Sequence, residues 1–138
     1  MLKAKDIMTR EVVSTSRDTP AVQALKILLE KEIAGMPVVE EDMTLVGIVT
    51  EKDLLGLFQE GGDAKDKTVA DYMTAPAVNF EEDEGLYDIW RCLLDVTFRR
   101  VPVTNKGKVV GIVSRPDVLR FVMEEMGEQS SGIVARGS

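Results

Sequence analysis

The sequence predicts an α+β fold: two β-α-β-β-α repeats packed sheet to sheet with pseudo-two-fold symmetry. Three recurrences carry the prediction. Asp6-Ile7-Met8-Thr9 returns as Asp71-Tyr72-Met73-Thr74, and Met36-Pro37-Val38-Val39 returns as Val101-Pro102-Val103-Thr104, both 65 residues later. Gly47-Ile48-Val49-Thr50-Glu51-Lys52-Asp53 returns as Gly111-Ile112-Val113-Ser114-Arg115-Pro116-Asp117 after 64 residues, the preceding turn being one residue shorter. Three blocks in one order at nearly fixed spacing mark a duplicated unit.

Each repeat opens on an extended piece, Val12-Val13-Ser14-Thr15 or Ala77-Val78-Asn79-Phe80. A helix follows. Asp18-Thr19-Pro20 offers a cap and an early proline. Ala21, Ala24, Leu25, Leu28 and Leu29 then fall on one stripe at helical spacing. Leu86, Ile89, Trp90, Leu93 and Leu94 repeat that stripe, and both stripes are predicted core, Trp90 included. The acidic run Glu81-Glu82-Asp83-Glu84 suits the start of the second copy's helix.

Two β-rich runs come next, Met36 to Val39 and Leu45 to Val49, joined by the polar turn Glu40 to Thr44. The matching turn, Asn105-Lys106-Gly107, is tighter. A shorter helix begins after Thr50 or Ser114, carrying Leu54, Leu55, Leu57 and Phe58, or Val118, Leu119, Phe121 and Val122. A unit of about 50–60 residues is marginal alone, so the two are expected to share a core. The expected organisation is repeat 1 at 1–60, a Gly- and charge-rich linker at 61–67, repeat 2 at 68–126 and a flexible tail at 127–138.

Composition excludes several function classes. The 138 residues contain no histidine and one cysteine, Cys92. That removes Ser-His-Asp and Cys-His catalysis and leaves no zinc cluster. Beside its helix's apolar stripe, Cys92 reads as a small buried hydrophobe, with a reactive thiol as the alternative. The formal charge of −7 opposes nucleic-acid binding. No apolar run approaches the ~18 residues of a membrane span, and the first residues lack a signal-peptide pattern. A cytoplasmic protein without membrane insertion, metal or catalytic residues is the expectation.

The recurring polar constellation is Thr50-x-x-Asp53 and Ser114-x-x-Asp117, each between a strand and a helix. Two readings fit it. As a capping box, the hydroxyl accepts from the third helical amide and the acid complements the helix end. As a binding site, the carboxylate accepts the two hydroxyls of a ribose beside free amides.

Asp-x-Met-Thr, the apolar-Pro-Val strand and Gly-Ile-Val-Thr/Ser-x-x-Asp, twice over, resemble the tandem cystathionine β-synthase (CBS) domain pair, or Bateman module, across roughly residues 4–125. The resemblance implies a regulatory module that binds AMP, ADP, ATP or S-adenosylmethionine between its repeats and signals to a partner protein. It implies one cleft built from Ile48, Thr50 and Asp53 with Met73, Ala77, Val78, Arg99, Arg100 and Val101. The other combines Ile112, Ser114, Arg115 and Asp117 with Met8, Val12, Val13, Ala34, Gly35 and Met36. Arg99-Arg100 stands where the first repeat has Ala34-Gly35. Forked guanidinium donors there favour a di- or triphosphate at Asp53, the alternative being a solvated basic pair. Arg115 is a basic group for the second cleft or a helix-surface residue. Met8 and Met73 line base pockets or fill the core. Leftover apolar residues, Leu54, Leu57, Phe58, Phe121, Val122 and Met126, predict a homodimer, which the resemblance implies is a flat four-repeat disk. The alternative is a ligand-free interaction module that dimerises through the same faces.

Overall fold

The computed structural model describes residues 2–95 and 99–129. Most of the predicted tail lies outside them. Helix α1 (Ala4–Ile7) precedes α2 (Ala21–Lys31), the hairpin β1 (Gly35–Val39) and β2 (Leu45–Thr50), α3 (Glu51–Leu54) and α4 (Leu57–Glu60). After 3-10 turns at Gly61–Asp66 and Val69–Asp71 come β3 (Phe80–Glu81), α5 (Leu86–Leu93), β4 (Arg100–Asn105), β5 (Lys108–Ser114) and α6 (Arg115–Gln129). The α+β repeat fold holds, with β1-β2 as one sheet and β3-β4-β5 as the other.

The two halves differ at their first strand. Val12 to Thr15 reduces to a single parallel bridge from Thr15 to Val38, whereas the second copy keeps the two-residue strand β3 beside β4. Thr15 stands where the second copy has Phe80, and its hydroxyl is buried without a hydrogen-bond partner. A phenyl ring suits that apolar place better than an orphaned hydroxyl does.

The repeats exchange their leading segments. Residues 2–9 pack on the second repeat: Ala4 and Met8 join Phe80, Ile89, Val103 and Val113 in one core. Residues 67–73 pack on the first repeat, where Val69 joins Ala24, Leu28, Val38 and Val49. The exchange also decides helix capping. No side chain caps α2 as predicted; Thr19 Oγ1 accepts from Ser16 N–H within its own loop instead. The Ala21 amide donates to the Lys67 carbonyl at 2.9 Å, and the equivalent Leu86 amide of α5 donates to Leu2 at 3.2 Å. Amides that a helix start leaves unpaired are thus met by the other half's entering chain. The linker segment forms a 3-10 turn at Gly61–Asp66.

The acidic run serves the same exchange. Asp83 pairs with Lys5 at 3.0 Å and Lys3 at 3.5 Å, pinning α1 to the second repeat, and α5 begins only at Leu86. The Lys5 ammonium holds the Asp83 carboxyl below the usual carboxylate range.

Three of the five residues of the first predicted stripe and two of the five of the second are core. Ala21, Ala24, Leu28, Ile89 and Leu93 are buried, but Leu29, Trp90 and Leu94 are exposed, against expectation. Leu54 and Leu57 are buried rather than left over. Each helix lies over one small sheet and covers it with one side only, so the outer residues of a wide stripe find no second layer within the chain. Leu28 is fully buried under the first sheet. Leu28→Ala should cost about 3 kcal/mol of stability, measured by urea unfolding, because the rigid sheet above it cannot collapse into the gap.

Candidate ligand clefts at the repeat junctions

Several antiparallel bridges join the halves, and two of them each position one acidic motif. At the first, Ile48 N–H donates to the Thr74 carbonyl at 2.9 Å and Thr74 N–H returns to Ile48 at 2.8 Å. At the second, Thr9 and Ile112 exchange bonds of 2.8 and 2.9 Å. Each junction is close because a glycine precedes the strand residue. Met73 sulfur lies 3.1 Å from where a Cβ on Gly47 would stand, and Met8 packs against Gly111 in the same way. Ile48 is therefore one residue from the Gly47–Met73 contact, and Ile112 one residue from the Gly111–Met8 contact.

Val46, Ile48 and Thr50 share the half-exposed face of β2. That face leads from a cavity of about 160 Å³ at one end to Asp53 at the other. Leu45, Val46, Pro76 and Ala77 give the cavity apolar walls, and Asn79, Glu81 and Thr104 give it a polar floor. The Thr104 hydroxyl donates to Asn79 Oδ1 at 2.9 Å and lies 3.3 Å from Glu81 Oε1. One proton serves several acceptors there, so the floor has spare accepting capacity. Asn79, Glu81 and Thr104 are not singled out by sequence; the parallel pairing of β3 with β4 brings the first two beside Thr104.

Asp53 and Asp117 both cap their own helix, but they are not equivalent. Asp53 Oδ2 accepts from Thr50 N–H at 2.9 Å, while Thr50 Oγ1 accepts from Asp53 N–H at 3.2 Å. Asp53 is half-buried, and its Oδ1 has no partner among the described residues. Asp117 is only 6% exposed. Its Oδ2 accepts from Ser114 N–H at 2.8 Å and Ser114 Oγ at 2.9 Å; its Oδ1 takes Thr9 Oγ1 at 3.3 Å and the Arg120 guanidinium.

The remaining candidates divide by strand register. Gly35 pairs with Thr50, and the Ala34 carbonyl accepts from Glu51 N–H at 2.9 Å. Arg100 pairs with Ser114, and the Arg99 carbonyl accepts from Arg115 N–H at 3.3 Å. These pairs thus stand beside their own repeat's acid, whereas the sequence grouping assigns them to the opposite one. Arg99 and Arg100 form no ion pair among the described residues. The Arg115 side chain turns away to the end of α5, donating to the Leu93 and Asp95 carbonyls at 3.1 and 3.0 Å. Met8, Met36, Val101 and Ile112 are buried; Val12, Val13, Met73 and Ala77 are half-buried; Val78 is exposed. Burial, with Asp95 and Glu84 nearby, pushes the Cys92 thiol up, which keeps it protonated and inert. Among the described residues no group of acids, histidine or cysteine could hold a metal ion, and no helix is long and apolar enough to cross a membrane.

A duplicated unit with exchanged leading segments and an acid at each junction defines a tandem repeat pair. The chain belongs to the CBS domain family, which matches residues 4–60 and 69–124. Similar solved structures include CBSX2 of Arabidopsis thaliana in complex with AMP, at 34% identity and a TM-score of 0.81, covering 91% of this chain and 99% of that one. Another is the CBS domain pair of MJ0100 in complex with 5′-methylthioadenosine and S-adenosyl-L-methionine, at 27% identity and a TM-score of 0.75, covering 91% and 98%. By sequence, the chain is 32% identical over 134 residues to the CBS domain-containing protein CBSX1, chloroplastic, of Arabidopsis thaliana, covering 77% of this chain and 57% of that protein. The chain spans about half the length of the curated relatives it matches first, 42% of one and 57% of the next two.

Proposed function

We propose that this chain is a cytoplasmic regulatory module that binds an adenosyl compound in the Asp53 cleft and signals to a partner protein. The observation that carries the reading is the unpartnered Asp53 Oδ1, held half-buried at the repeat junction by the bond from Thr50 N–H to its sister oxygen. A carboxylate fixed in this way keeps one oxygen for a ribose hydroxyl. At about 160 Å³ the cavity is smaller than an ordinary ligand pocket of ~300 Å³ or more. It suits a planar base, with sugar and phosphate lying outside along β2. Val46 and Thr50 are four residues apart, about 13 Å, a span that a nucleoside and its hydrogen bonds can bridge. The complexes of CBSX2 with AMP and of MJ0100 with S-adenosyl compounds support this ligand class. Small, uncharged Ala34 and Gly35 beside Thr50 favour AMP or an S-adenosyl compound over ATP or ADP.

AMP has about 23 heavy atoms, so at roughly 0.3 kcal/mol per atom its binding is limited to about 7 kcal/mol, near 10 μM. Calorimetric titration with AMP and S-adenosylmethionine is the test. Asp53→Ala should weaken binding about 10- to 100-fold by removing a charged acceptor. A ligand that prefers one relative orientation of the repeats would transmit its presence through that orientation.

A second reading has its own support, because both carboxylates cap their helices. On that reading the clefts are empty and the chain is an interaction module. No heat with either ligand at millimolar concentration would establish it. Both readings include a homodimer through the exposed helix faces.

A further inference from the structure

The two acids differ in what already occupies them, and one position explains the difference. Arg120 stands three residues after Asp117; the corresponding position after Asp53 is Gly56. The Arg120 guanidinium and the Thr9 hydroxyl together hold Asp117 Oδ1, and Ser114 supplies two donors to Oδ2. Both oxygens are therefore saturated by the chain itself. In the first repeat no side chain can take the Arg120 position: a Cβ on Gly56 would lie 2.9 Å from the Tyr72 ring. The Tyr72 ring thus keeps that place a glycine, and Asp53 Oδ1 stays free.

We infer that Arg120 is an internal occupant that closes the second cleft, so that the module takes one adenosyl ligand per chain, at Asp53. This rests on the adenosyl reading above. A ribose at Asp117 would have to displace a guanidinium and a hydroxyl from a nearly buried carboxylate, whereas at Asp53 it meets an oxygen with nothing to displace. Without Arg120 the second cleft would regain an open oxygen, with Arg99 and Arg100 at its edge to receive a phosphate.

Calorimetry on the full chain with AMP tests this using four proteins. The wild type should bind one AMP per chain. Asp53→Asn, which keeps an acceptor for Thr50 N–H and so preserves the cap, should weaken that site about 10- to 100-fold by removing the charge, taking it out of the tight-binding count. Arg120→Ala should bind two, and Arg120→Ala with Asp53→Asn should again bind one. Circular dichroism melts confirm folding, and Arg120→Gln serves if the alanine variant unfolds. Two sites in the wild type, or no second site in either folded Arg120 variant, overturns the single-cleft assignment alone. No binding by any of the proteins overturns it together with the adenosyl reading.

Discussion

Gly47→Val should destabilise the protein by about 3 kcal/mol, more than the same change at its repeat-mate Gly111. A Cβ at Gly47 would lie 2.8 Å from the Thr74 carbonyl oxygen, an atom of the backbone. That carbonyl accepts from Ile48 N–H at 2.9 Å, and Thr74 N–H donates back to Ile48 at 2.8 Å. The valine therefore cannot be accommodated by turning a side chain. It must separate the two strands, and with them the only paired backbone of the first junction among the described residues. At Gly111 the three nearest atoms all belong to the Met8 side chain, starting with its sulfur. A methionine with three rotatable bonds can repack, at the cost of part of the second core, so about 1–2 kcal/mol is expected there. Urea unfolding midpoints at unchanged slope would show the difference. Equal losses at the two glycines would mean that the junction backbone gives as easily as a methionine does.

This contrast also shows what the sequence made legible. Duplication fixed the repeat unit, the two acidic motifs and the pairing of Ile48 with the Met73 segment, because matched blocks at matched spacing leave few ways to fold. Spacing along the chain did not reveal strand register across a hairpin. Arg100 pairs with Ser114, which block order does not reveal, whereas the resemblance groups the basic pair with the opposite acid. Nor could the motif say that Asp117 is saturated while Asp53 is not. The two read alike until the neighbouring Arg120 or Gly56 is placed beside the carboxylate. Helical periodicity located Trp90 and Leu94 on an apolar stripe correctly, but it cannot tell a wide stripe with two packing layers from one with a single layer within the chain.

That missing layer leads to the second large effect: Phe58→Glu with Leu94→Glu should convert the proposed homodimer to monomers. Phe58 is 92% exposed and Leu94 62% exposed, so neither contributes much to the isolated chain's core. Exposure recurs in register across the repeats. Val22 and Tyr87, Leu29 and Leu94, Leu55 and Leu119, and Phe58 and Val122 are all exposed at equivalent positions. Tyr87 and Trp90, with rings 5.6 Å apart, edge an apolar groove of about 240 Å³ that Val118 and Val122 complete. A face written twice in one chain is suited to a second copy, because a two-fold axis brings like patches together at both repeats. Burying Phe58 is worth about 1.5–3 kcal/mol, and a two-fold axis counts it in each copy. A glutamate in its place would bury an unpaired charge. Dimer affinity should fall by about a hundredfold or more. Light scattering at about 50 μM, well above a micromolar dissociation constant, should give twice the chain mass for the wild type and the chain mass for the double variant. A monomeric wild type would leave those faces for a different protein. Unchanged melting of the variant chain would show that the glutamates act on association and not on the fold.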